Sequence, residues 1–148
     1  MNKRKIEEWI PLAKNAIEKT GISKDGKILK SFRGQISSFG AAVTMGSMKA
    51  AVAFFSDNGG ASVKREELMK AILEILQRQE KEVGMQVDGQ NKPIHGKSVK
   101  EYKTLAEYVF SEENPKLEDE MKEEIINAAI AIKLAMNLFE LVDDKKQL

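Results

Sequence analysis

The stretch SFRGQISSFGAAVTMGSMKAAVAFF, residues 31–55, decides the fold class. Residues 34–55 carry one formal charge, Lys49, in a chain of which 32% is charged. Phe32, Ile36, Phe39, Val43, Ala50 and Phe54 recur at steps of three, four or seven, the period of a helix with a buried stripe. Gly46 and Ser47 fall on that stripe, so the helix is thin there and another backbone can approach closely. The back of its second half is apolar too, through Ala41, Met48, Ala51, Val52 and Phe55. A helix apolar on more than one side usually packs on several neighbours. The length would suit a membrane span, but the richness in Gly, Ala and Ser and the charge of Lys49 argue against one. The expectation is a buried central helix over residues 30–56.

With 148 residues the chain suits one domain with a substantial core. A mean hydropathy of −0.39 and only three prolines fit an all-α fold better than a β fold. Cysteine is absent, which excludes disulfides, a thiol nucleophile and cysteine-based metal sites. The basic start, MNKRKIEEWIPLAK, is not followed by the apolar core of a signal peptide, so the expected location is the cytoplasm. The net charge of +1 hides an asymmetry. Residues 1–34 hold nine Lys/Arg against four Asp/Glu, and residues 111–124 hold seven Asp/Glu against two Lys. Such a split fits a protein that meets something anionic on one side, and it also fits a solvated helix surface.

Working outward, a helix is expected over residues 4–20, with Ile6, Trp9, Ile10, Ala13, Ala16 and Ile17 inward and Gly21 as its stop. Pro11 is awkward, since an interior proline costs about 3 kcal/mol. Either the helix kinks there or its regular part begins near Ile10. Residues 21–29 read as a short polar linker. Ser56-Asp-Asn-Gly-Gly-Ala61 breaks the chain, and Ser62 is the expected N-cap of a helix over residues 63–81. Residues 82–97 read as a long loop. Ser98-Val-Lys-Glu101 has the form of a capping box opening a helix over 98–110. Asn114-Pro115 opens a final helix over 115–142, striped by Leu117, Met121, Ile125, Ala128, Ile132, Phe139 and Val142. The whole is an all-α, single-domain bundle of five helices, or six if a long one breaks.

No catalytic constellation is visible. The single histidine, His95, stands in the loop beside Gly96, and neither HExxH, a P-loop nor an EF-hand spacing occurs. Val87-Asp88-Gly89-Gln90-Asn91 lacks the closing glutamate of a calcium loop. No metal, cofactor or enzymatic activity is expected. Binding is the remaining class. Lys14, Lys19, Lys30, Arg33 and Lys49 lie in the first half, and Lys133 stands alone inside the last helix. Lys49 and Lys133 are each the lone charge of an apolar neighbourhood. Such a lysine can snorkel to solvent at the core's rim, or the pair can neutralise phosphates on one surface without reading bases. No RRM, KH or zinc-finger signature is present.

Three segments together resemble a known family. They are Trp9-Ile10-Pro11-Leu12-Ala13, residues 31–57 (SFRGQISSFGAAVTMGSMKAAVAFFSD) and residues 128–141 (AAIAIKLAMNLFEL). In order and spacing they resemble the small subunit of the type III-B CRISPR effector complex, the fifth component of the Cmr RAMP module. The resemblance implies an all-helical, non-catalytic subunit that stacks on copies of itself in a filament, in antiviral defence. Its implied partners are the other Cmr/RAMP subunits, the guide RNA and the target RNA, with cleavage left to the backbone subunits. Lys14, Lys30, Arg33, Lys49 and Lys133 become candidates for RNA-backbone contact, and Met48, Val52 and Phe55 for an assembly interface. Two positions depart from the family pattern. Gly46-Ser47-Met48 stands where relatives tend to have Gly-Leu, and Asn137 where they tend to have a basic residue, which leaves Lys133 as the last helix's main candidate. The alternative is a helical protein–protein adaptor with no role in nucleic-acid binding.

Overall fold

A computed structural model describes residues 1–83 and 98–144 of the chain. It is predominantly helical, as expected, with six α-helices and one three-stranded sheet among the described residues. From residue 84 onward the expected loop, with His95 and residues 87–91, lies outside the described residues. No helix of the described residues is long and apolar enough to cross a membrane.

Helix α1, Lys3–Lys19, opens where the Asn2 side chain accepts a hydrogen bond from the Lys5 N–H at 3.1 Å. It buries Ile6, Trp9, Ala13, Ala16 and Ile17 and runs through Pro11, whose ring faces solvent. Regular helix therefore does not wait for Ile10. The linker expected at 21–29 is instead a β-hairpin of β1, Ser23–Lys24, and β2, Lys27–Leu29. Asp25 and Gly26, at φ of 53° and 76°, form the two-residue turn that a right-twisted hairpin favours. Ile22 and Ile28, both buried, pin the hairpin to the core.

The helix expected at 30–56 is two helices. Helix α2, Lys30–Met45, ends at Gly46, and α3, Met48–Phe55, restarts where the Ser47 hydroxyl accepts from the Ala50 N–H at 3.2 Å. A Cβ on Gly46 would stand 3.1 Å from the Ala42 carbonyl oxygen, so the break is fitted to glycine. Helix α2 buries one stripe, Phe32, Ile36, Phe39 and Val43, while Met45 and Phe54 are exposed.

Helix α4, Glu66–Val83, begins later than expected, and Ser62 does not cap it. The helix expected at 98–110 is a 3-10 turn, Val99–Glu101, followed by α5, Leu105–Phe110, capped by Thr104. Side chains of α4 bind the backbone of this turn. Gln77 Nε2 donates to the Val99 and Tyr102 carbonyls at 3.2 and 3.1 Å, and Glu80 accepts from the Val99 N–H at 3.1 Å. Helix α6, Pro115–Ala135, stops seven residues before the expected end. A 3-10 turn, Met136–Leu138, leads into β3, Glu140–Val142, which pairs parallel with β2. The open edge of β2 supplies hydrogen-bond partners that bring Leu141 opposite buried Ile28.

The centre of the bundle is α6, which packs against α1, α2 and α4. Ala128, Ala129, Ala131 and Ala135 are all buried, and their small side chains let three helices close around one. Phe39 and Phe55 meet edge to face with centroids 5.3 Å apart, joining α2 to α3 across the break.

Candidate nucleic-acid interface

The structure separates the two lysines expected on one surface. Lys49, on α3, is less than a third exposed and reaches the first turn of α6. Its Nζ lies 2.6 Å from Glu118 Oε1, donates to the Glu112 carbonyl at 2.8 Å and stands over the Phe110 ring. That ammonium is spent on joining α3, α5 and α6. Lys133 is exposed in the last turn of α6. Fifteen residues part Glu118 from Lys133, roughly 22 Å along a helix axis at 1.5 Å per residue.

The other expected cations fare differently. Lys14 Nζ lies 3.9 Å from Glu18 on the exposed face of α1. Lys30, in the first turn of α2, lies 3.2 Å from Asp143, with both side chains more than half exposed. Arg33 Nη1 donates to Asn137 Oδ1 at 2.7 Å. Asn137 lies in the 3-10 turn that follows α6, so this bond ties the start of α2 to the end of α6. Asn137 is thus the residue that holds Arg33. The expected interface residues Met48, Val52 and Phe55 are all buried in the chain's own core. They offer no assembly surface, because α3 turns them inward once the break at Gly46 redirects it.

Cations that periodicity did not single out form a basic edge beside Lys30. Lys24 and Lys27 flank the hairpin turn, and Lys64 lies just before α4. None enters an ion pair among the described residues, whereas Lys14, Lys19, Lys30, Lys49, Lys70 and Arg78 all do. The signal was present in the spacing: Lys24, Lys27, Lys30 and Arg33 recur every third residue. It crosses a hairpin and a helix start, so no single helical or strand period contains it. Some other cations outside these ion pairs sit among carboxylates. Lys3 and Lys5 share a cleft with Glu120, Glu123 and Glu124, and Lys116 and Lys122 lie in the acidic segment.

Two carboxylates frame this edge. Glu67 is partly buried, which by itself opposes ionisation. The Gly21 N–H at 2.9 Å, the Lys70 ammonium at 3.2 Å and the charge of Lys64 outweigh that and hold it below the usual carboxylate range. Asp144 is held low by the Ser31 hydroxyl and, at 3.0 Å, the Ser62 hydroxyl. It also accepts from the Ser31 N–H at 3.4 Å. Leu29, the N-cap of α2, has no side chain able to cap, so Asp144 supplies the anion at that helix start from the far end of the chain.

In comparisons with family models, curated proteins and solved structures, the chain matched none.

Proposed function

We propose that the chain is a non-catalytic, RNA-facing structural subunit that contacts the nucleic-acid backbone without reading its sequence. The observation that carries this reading is the edge of lysines outside any ion pair among the described residues, Lys24, Lys27 and Lys64, continued by Lys30 and Arg33. Compact ammonium groups neutralise phosphates as point charges. Such groups carry little base information, and the edge's one guanidinium, Arg33, is held by Asn137. The resemblance supplies the setting: a small subunit of a type III-B CRISPR effector, stacked in copies beside the RAMP subunits.

The test is fluorescence anisotropy with two single-stranded RNAs of unrelated sequence. Both should bind alike, with a log–log salt slope of about −2 to −3 for three or four phosphates. Lys27→Glu combined with Lys64→Glu should abolish most of the affinity and leave helical content unchanged. Affinity that is sequence-selective, or indifferent to these reversals, overturns the reading. Co-purification with RAMP subunits and guide RNA tests the setting separately. The adaptor alternative is favoured by one observation, the exposed pair Leu134 and Leu138 at the end of α6. It predicts protein partners whose capture is lost in Leu134→Glu and persists after nuclease treatment.

A further inference from the structure

A cavity of about 280 Å³ opens between the hairpin and the start of α4. That lies near the lower edge of the usual range for small-molecule clefts, about 300–1,000 Å³. Its wall is divided chemically. Ile22, Leu29, Phe32 and Val63 supply apolar surface, and Lys24, Lys27 and Lys64 supply three cations from three separate segments. Glu67 is the one carboxylate in the lining, and its oxygens are already engaged by the Gly21 N–H and Lys70. The lining therefore carries three cations against one carboxylate, a surplus of positive charge even with Glu67 acting on Lys64. Ser62, on the rim, is turned toward Asp144 and Ser31.

We propose that this cavity takes a single nucleoside phosphate unit, with the phosphate among Lys24, Lys27 and Lys64 and the base against the apolar wall. The argument is one of matched chemistry. Three lysines drawn from three segments into one lining suit a phosphate, whose oxygens can accept from all of them, better than a carboxylate with two. An apolar wall beside the cations adds what a bare anion cannot use: a surface for a flat, weakly hydrated ring. The volume limits the occupant to about one such unit. The same group could arrive as a free mononucleotide or as one nucleotide of a bound strand. The second case builds on the RNA-facing reading, with a base lodged in a recess beside the backbone track.

The experiment uses the full chain labelled with ¹⁵N, titrated separately with uridine monophosphate, inorganic phosphate, uridine and a uridine decamer. Uridine monophosphate should shift the amides of residues 21–29 and 62–67 saturably, with affinity at least about tenfold above that of inorganic phosphate or uridine. Lys27→Glu with Lys64→Glu should weaken it by about tenfold or more, and Lys133→Glu, outside the cavity lining, should not. If the double reversal loosens the hairpin, Lys64→Gln removes one charge without adding a carboxylate and should still weaken binding. An unshifted cavity, an affinity no better than phosphate alone, or indifference to both lysine variants overturns the proposal. If the decamer binds while these amides stay unmoved, the cavity proposal fails and the RNA-facing reading survives. If the mononucleotide enters and the decamer does not bind, the reverse holds.

Discussion

Arg65 shows how much one side chain can hold at the residue scale. It is buried, and its Nε donates to the Asp57 carbonyl at 2.6 Å and its Nη2 to the Phe54 carbonyl at 3.1 Å. The guanidinium lies over the rings of Phe54 and Phe55. It thereby satisfies a carbonyl at the end of α3 and ties down the turn that follows. Arg65→Ala should cost about 2–3 kcal/mol in chemical denaturation, and Arg65→Lys should recover only part of that, since lysine lacks the planar fork. Gly59 is fitted to the same group. Its φ is +56°, and a Cβ there would stand 2.7 Å from Arg65 Nη2. Lys49→Ala should lose about 1 kcal/mol of stability and leave RNA affinity intact, because its charge is already paired with Glu118. Loss of RNA binding in a folded Lys49→Ala protein would restore that residue to the interface.

At the element scale, the break between α2 and α3 aims four buried side chains, Met48, Ala51, Val52 and Phe55, into the core. By local propensity, Gly46→Ala should favour helix by about 1 kcal/mol. The close approach to the Ala42 carbonyl, and the need to keep α3 redirected, should reverse that sign and lower the melting temperature. Ser47→Ala should cost about 1 kcal/mol through loss of the cap. A stabilised Gly46→Ala protein would mean that α2 and α3 can fuse. The start of α2 depends on a remote residue in the same way. Asp144→Ala removes its anion and should cost about 1 kcal/mol, although the two segments lie at opposite ends of the chain.

For the whole molecule, acid sensitivity follows from the carboxylates held in the native state. Glu74 resembles Glu67: partial burial opposes its ionisation, but Lys19 and Arg78 outweigh that and hold it low. A carboxyl whose native pKa lies below its unfolded value stabilises the fold above the ordinary carboxylate range. That contribution is lost as pH falls through about 4 and below. Melting temperatures between pH 7 and pH 3 should therefore drop at the acid end. The drop should be shallower in a Glu67→Gln, Glu74→Gln protein, and an equal drop would exclude these two groups as its source. Glu74 joins α1 to α4, and Glu67 joins the hairpin's approach to α4. Acid thus loosens the frame that places Lys24, Lys27 and Lys64 together.

Helical class, the buried stripes of α1 and α2 and the Asn114-Pro115 start of α6 were legible in the sequence, because period and capping act over four to eight residues. Residues 21–29 read as a linker, although Asp25-Gly26 favours a hairpin turn, because strands of two and three residues offer no alternation to read. What only the tertiary structure decided involves partners distant along the chain. Residues 140–142 became strand because the edge of β2 was there to pair with, and the 3-10 turn at 99–101 is held by Gln77 and Glu80 from α4. The same distinction governs residues 31–55. Their helical, apolar character is local, but the break at Gly46, the burial of Met48, Val52 and Phe55 and the pairing of Lys49 with Glu118 are set by what packs around them. A sequence determines each side chain's charge and period, whereas its neighbours decide whether that charge remains available for a partner.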